Sequence, residues 1–224
     1  CYSLIMALNI NGTTGISGVD GSVSAPAVTG TDSNTGITFP SADTIKFSTG
    51  GVERMAISNS GVSGITAGIT MADQLRRTAN VSLSNSENFL TSDWERVDGS
   101  GQGTLTGSGG MTESGGIFTF PSTGIYKVEW QCYFEDTGSA GACAANIYIT
   151  TDNSSYSNRC SSLSSVPDIS SYSYASVHCQ TFVDVTDVTQ VKVKFRVYSN
   201  GTVAVDASSS ENRNCATFIR LGDT

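Results

Sequence analysis

The chain has 224 residues, of which 38% are hydrophobic and only 14% charged, and its net charge is −8. No run of about 18 apolar residues marks a membrane span, and no cluster of Lys and Arg offers the phosphate contacts that nucleic acid requires. Ser, Thr, Asn and 24 Gly supply the polarity, a mix that favours strands and tight turns over helices.

The opening "CYSLIMALNI" has neither the charged n-region nor the long apolar h-region of a signal peptide. Met6 reads as a natural start, with Cys1 to Ile5 as an upstream remnant. Residues 1–70 form a Gly-rich region holding six charges, Asp20, Asp32, Asp43, Lys46, Glu53 and Arg54. Its apolar residues come singly or as spaced pairs. The clearest pairs are Ile37/Phe39, Ile45/Phe47 and Met55/Ile57, each read as a short strand between turn residues. Two apolar residues per strand cannot build a core alone, so these six residues are expected to pack against the same segment of other copies, three around an axis. Gly50 and Gly51 sit where a sharp reversal needs positive φ.

Residues 71–224 form the second region, its core strands running from about 117. "TMADQLRR" reads as a helical turn capped by Thr70, and Arg76-Arg77 as a solvated pair. "GSGQGTLTGSGGMTESGG" (99–116) reads as a flexible stretch. From Ile117 the alternation becomes regular. "GIYKVEWQCYFED" places Tyr126, Val128, Trp130, Cys132 and Phe134 on one face, and "ACAANIYITT" groups Cys143, Ala145, Ile147 and Ile149. "SVHCQTFVDV" groups Val177, Cys179, Thr181, Val183 and Val185. "VKVKFRVYS" sets Val191, Val193, Phe195 and Val197 against Lys192, Lys194 and Arg196. "CATFIRLGD" groups Cys215, Thr217, Ile219 and Leu221. Period-two alternation of this length predicts half-buried antiparallel strands, hence an all-β sandwich or jelly roll. Cys132, Cys143, Cys179 and Cys215 fall on these apolar faces, either as small core hydrophobes or as disulfide partners.

Chemistry is sparsely provided. His178 neighbours Cys179 in a strand, so the two side chains point opposite ways and cannot form a nucleophile pair. Glu129, Glu135, Asp136, Asp184 and Asp187 are the acids available for paired-carboxylate hydrolysis, several of them in ordinary turn contexts. No CxxC, phosphate-cradling or Ca²⁺-loop motif occurs. No catalytic, cofactor or metal site is therefore expected. The stretch 151–175, "TDNSSYSNRCSSLSSVPDISSYSYA", reads as the longest loop. Its Tyr156, Arg159, Tyr172 and Tyr174 among serines give the composition of an adaptable recognition surface.

Two stretches resemble known families. "FTFPSTGIYKVEWQCYF", "NIYITTDN", "ASVHCQTFVDVTDVTQVKVKFRV" and "CATFIRLGD" resemble the jelly roll of complement-type recognition heads and tumour-necrosis-factor-like ligands. The resemblance covers 117–224, and reaches back to 74 where "QLRRTANVSL" supplies the first strand. It implies a typically trimeric knob. "NINGTTGISGVDGSVSAPAVTGTDSNTGITFPSADTIKFSTGGVERMAIS" resembles the N-terminal stem of tailed-bacteriophage fibre proteins of the marine and cyanophage type, with "I-x-F…I-x-F-x-TGG-x-x-R-x-x-I" as its motif. This implies an intertwined trimeric β stem. Together they imply a non-enzymatic homotrimeric virion fibre, assembled in the host cytoplasm and displayed on the particle surface. Its N-terminal region would bind other virion proteins, and its knob would bind a host-surface glycan or protein. A head fibre or capsid decoration is the near alternative. An extracellular complement-like or cytokine-like binding module is the alternative of another class.

Overall fold

The structure, a computed structural model, describes residues 9–11, 15–17, 20–64, 68–106, 109–139, 141–167, 169 and 173–224. The chain divides into two compact units, Cys1–Ala67 and Gly68–Thr224. The described residues contain strands and no α-helix.

The first unit holds two small hairpins, β1 (Asn9–Asn11) with β2 (Gly15–Ser17) and β3 (Gly21–Ser22) with β4 (Ala25–Pro26). Five further strands form an antiparallel meander: β5 (Val28–Thr29), β6 (Gly36–Thr38), β7 (Ile45–Thr49), β8 (Val52–Ser58) and β9 (Gly61–Ser63). The β7–β8 turn is Gly50-Gly51, with φ of 60° and 74°. Two consecutive left-handed residues make the hairpin turn whose twist matches its strands, as the sequence requires. Each of the three apolar pairs thus finds backbone partners in its own chain. Strand shortage is relieved by pairing, and what remains short is side-chain cover.

The second unit is a sandwich. Its strands are β10 (Met71–Arg77), β11 (Val81–Phe89), β12 (Trp94–Arg96), β13 (Thr112–Ser114), β14 (Ile117–Thr119) and β15 (Gly124–Ser139). They continue with β16 (Gly141–Thr150), β17 (Ser157–Val166), β18 (Tyr174–Val185), β19 (Lys192–Val205) and β20 (Cys215–Gly222). One sheet runs β12-β10-β20-β15-β18 and the other β11-β19-β16-β17, all antiparallel. The end of β15 crosses to β19, pairing Phe134 with Val205, which nearly closes the sandwich into a barrel. The core fills with the alternating residues: Tyr126, Val128, Trp130, Cys132 and Phe134 from one sheet face Ile147, Val193, Phe195 and Val197 from the other. Aromatic rings mesh at its centre, with Trp130–Phe195 at 4.9 Å and Trp94–Phe118 edge-to-face at 4.9 Å.

Four expectations change. "TMADQLRR" is strand β10, because β20 and β12 supply ladder partners on both sides and override any local helical preference. Arg76 and Arg77 are buried, not solvated. Arg76 is tied to Glu95 and Asp98 at 2.7 Å each and also donates to the Ser209 carbonyl. Burial pushes the Arg77 guanidinium below its ordinary range, against the nearby charges of Asp93 and Glu113. The 99–116 stretch is anchored: Leu105 and Ala72 exchange two backbone hydrogen bonds, and Met111 is buried. On β20 the core-facing residues are Ala216 and Phe218, so Cys215, Thr217 and Ile219 lie on the opposite, outer face. Cys132, Cys143, Cys179 and Cys215 are nonetheless buried free thiols.

Candidate functional site

In the first unit, register fixes which side chains share a face, because directly paired residues point the same way. Val28, Ile37, Phe47 and Met55 form one cross-strand row, and Ile45, Ile57 and Val62 the next. The opposite face carries small or polar residues. Thr38, Ser48 and Ala56 are buried there, and Lys46 pairs with Glu53 at 2.7 Å. The apolar face is the uncovered one: Val28, Phe39, Ile45, Val52, Ile57 and Val62 are each between 38 and 60% exposed. Ile37, Phe47 and Met55 are half-buried. Phe39, Ile45 and Ile57 line a depression of about 460 Å³ together with Asp43, Thr44 and Asn59. The six predicted residues therefore lie along one small sheet.

The predicted recognition loop does not exist as one loop. Residues 157–166 are strand β17, paired along its length with β16. The Ser/Tyr composition hid a strand whose alternate residues face solvent. Tyr156 precedes β17 and Tyr174 opens β18, so a ten-residue strand, about 30 Å long, separates them. Arg159 is exposed at the bulge between the Ile147–Cys160 and Tyr148–Asn158 pairs. Tyr172 lies outside the described residues. Tyr174 stacks on Tyr133 with ring centroids 5.3 Å apart, beside a cavity shared with Glu135, Asp206, Glu211 and Arg213. Arg213 bridges Asp206 and Glu211 there.

Tyr156 belongs to a different cluster, on the outer face of the β11-β19-β16-β17 sheet. Lys194 sits 4.1 Å above its ring and 5.7 Å from that of Phe89. Phe89 meets Tyr148 edge-on at 5.1 Å, and the Arg196 guanidinium lies 4.8 Å over Tyr148. Burial, with the Asp152 charge adding to it, pushes the Tyr156 phenol up. Beside this ladder Asn146, Asn158, Ser161, Arg196 and Tyr198 line a depression of about 300 Å³. The alternation of "VKVKFRVYS" places Lys194 and Arg196 outward. It gives no hint that β11 and β16 bring aromatic rings beneath them, since that depends on long-range register.

Three of the candidate acids have partners of their own. Glu129 is ion-paired with Lys127. Asp136 accepts from the Gly138 amide at 2.9 Å, and Asp187 caps its own turn through Thr189. His178 is exposed while Cys179 is buried on the other face, its thiol pushed up to about 12 by desolvation. Among the described residues no group of three or more His, Cys, Asp or Glu could hold a metal ion.

The second unit is thus a jelly roll. No protein-family model matches the chain, and no curated protein matches it. Among solved structures it is similar to an Eiger TNF from S. frugiperda, with 13% identity over 70% of this chain and 95% of that one, at a TM-score of 0.51. It is also similar to murine APRIL, with 15% identity over 67% of this chain and 98% of that one, at a TM-score of 0.48. The Eiger likeness gives the fold: a tumour-necrosis-factor-like jelly roll.

Proposed function

We propose that the protein is a non-enzymatic homotrimeric fibre. Its N-terminal unit holds three copies together and attaches them to a virus particle, and its jelly-roll knob faces outward to bind a host surface. The observation that carries this reading is the uncovered apolar face of the β5–β9 sheet. Rows of Val, Ile, Phe and Met are ordered on one side of a sheet whose charged pair lies on the other. Such a face left in water forgoes the burial that the core-facing rows of the sandwich enjoy. A second and third copy of the same face are its best match, because threefold closure covers all three at once. Within one chain each strand of the meander already has its pairing partners, so what the other copies of the intertwined stem would add is side-chain layers. Attachment to a phage particle rests on the likeness of residues 9–58 to phage fibre stems, with a head fibre or capsid decoration as the near alternative to a tail fibre.

The cytokine-like reading has its own support in the fold similarity to Eiger TNF. The two differ in the N-terminal unit, which the fibre reading needs and the other does not. Sedimentation equilibrium on the full chain at micromolar concentration should give a trimer, and a chain lacking residues 1–67 should associate more weakly. A full-length monomer overturns the fibre reading. A trimer untouched by the truncation moves support to the cytokine-like reading.

A further inference from the structure

The outer face of the β11-β19-β16-β17 sheet carries hydrogen-bonding groups that the protein itself does not use. Asn146 is only 4% exposed. Its Nδ2 donates to Ser161 Oγ at 2.7 Å, while its Oδ1 has no partner among the described residues. Asn158 Nδ2 donates to the same Ser161 oxygen at 2.8 Å. A hydroxyl that accepts twice keeps one proton to give, and no acceptor for it stands among the described residues. Arg196 Nη1 pairs with Glu87 at 2.7 Å, yet its Nε is buried without a partner there. Asn146 and Arg196 are directly opposite across the β16–β19 register. Asn146, Asn158, Ser161 and Arg196 together line a depression of about 300 Å³, which Tyr198 and the exposed Leu163 flank.

Buried polar groups without partners are rare enough in folded proteins to call for a bound water, a ligand or a function. The set has a definite chemistry. Mixed donors and an acceptor suit a ring bearing several hydroxyls, each of which both gives and takes. A guanidinium already matched on one edge by a carboxylate suits a second carboxylate on its other edge. Lys194, held over two rings and with no ion pair among the described residues, adds positive potential beside it. The volume lies at the small end of ligand sites.

We propose that this face binds an acidic sugar residue, its carboxylate taken by Arg196 and its hydroxyls by Asn146, Asn158 and Ser161. The proposal deepens, and rests on, the reading of the knob as a surface-attachment module. Asn158 and Ser161 lie within the predicted 151–175 stretch, though not among the four residues singled out there, and Asn146 and Arg196 lie outside it.

The test is amide-detected NMR titration of the full chain with methyl glucuronide, methyl glucoside and inorganic phosphate, up to about 50 mM to reach millimolar affinities. The expected result is saturable shifts of the Asn146 and Asn158 side-chain amides with glucuronide, at about tenfold higher affinity than glucoside. Arg196→Lys keeps the charge but loses the planar edge, and should erase that preference. Glu87→Gln, at an exposed position, removes the competing carboxylate and should tighten glucuronide binding. Absence of saturable shifts overturns the site, as does equal affinity for phosphate and glucuronide. Sedimentation of the same samples separates the two readings. A trimer that ignores the sugar sinks this site alone, and a monomer that binds it sinks the fibre alone.

Discussion

Ile57→Asp is the sharpest perturbation of the proposed assembly. Ile57 lies one residue from the end of β8, opposite Ile45 and Val62, and stays 40% exposed in the single chain. Full burial of such a side chain is worth about 1.5–3 kcal/mol, so covering the remaining part contributes about 1 kcal/mol. Six side chains in this state give roughly 6 kcal/mol per copy, or roughly 18 for three copies. That is comparable to the freedom lost on association. An Asp in each copy forfeits about 3 kcal/mol of this sum and places three carboxylates in one apolar layer, at several kcal/mol each. The trimer should come apart. The single chain should stay folded, because the Asp points to solvent there. Light scattering at micromolar concentration, with circular dichroism as the folding check, reads both. Ser63→Asp, exposed on the opposite face beside Ala56, is the control and should leave the trimer whole. A folded Ile57→Asp chain that remains trimeric would refute the assignment of this face.

Other consequences follow from the knob. Asp73 is buried and holds Arg96 through two bonds of 2.8 and 2.9 Å, with Met111 N donating to it at 2.8 Å. The Arg96 side chain is 44% exposed, and the hydrogen bond to Asp73 is the main cause of its raised pKa. Removing the cation strands a buried charge, whereas removing the anion leaves an arginine that can reach water. In urea unfolding, Arg96→Met should therefore cost about 3–5 kcal/mol and Asp73→Asn roughly 1–3 kcal/mol; the reverse order would refute the account. Burial pushes the Cys143 thiol up to about 11 and those of Cys179 and Cys215 up to about 12. Unfolded thiols ionise near 8.5, so the unfolded state sheds protons first as pH rises. Stability should be full below about pH 8.5 and fall towards pH 11–12, by about 2 kcal/mol per thiol at pH 10. Cys179→Ala should flatten that slope in unfolding curves at pH 8 and 10, and an unchanged slope would contradict it.

The knob was readable wherever one strand face is apolar throughout. Tyr126 to Phe134 and Val191 to Val197 alternate in the sequence and alternate in burial. Reading failed where tertiary partners decide. Asp73, Arg76 and Arg77 look like a charged helical turn until β12 and the 98–111 segment deliver Glu95, Arg96 and Asp98 to them. β17 was missed because its outward residues are mostly Ser and Asn, with the apolar Leu163 also facing out, and only Cys160, Val166 and two serines turn in. On β20 the parity slipped by one residue, since Cys215, Thr217 and Ile219 are as apolar as the Ala216 and Phe218 that fill the core. The polar cluster around Asn146 was beyond reach for a plainer reason. Its members come from four strands, and only the pairing register makes them neighbours.

The two units leave surfaces of opposite chemical character unfinished, and this asymmetry supports the proposed division of labour. The first unit exposes apolar rows with little hydrogen-bonding capacity, a surface that another apolar surface completes and that a soluble ligand does not. On the β11-β19-β16-β17 face of the knob the groups left open are an amide oxygen, a hydroxyl proton and a guanidinium edge. Apolar cover would bury these at a loss, and hydroxyl or carboxylate groups satisfy them. A protein that only assembled would gain by losing the second surface, and one that only bound ligand would gain by losing the first. Carrying both is what a fibre requires. Three copies multiply a weak sugar contact into firm attachment when their sites reach one surface together. Millimolar binding in solution with adhesion that collapses on Ile57→Asp would then be one result, because the substitution leaves each site intact and removes only its neighbours.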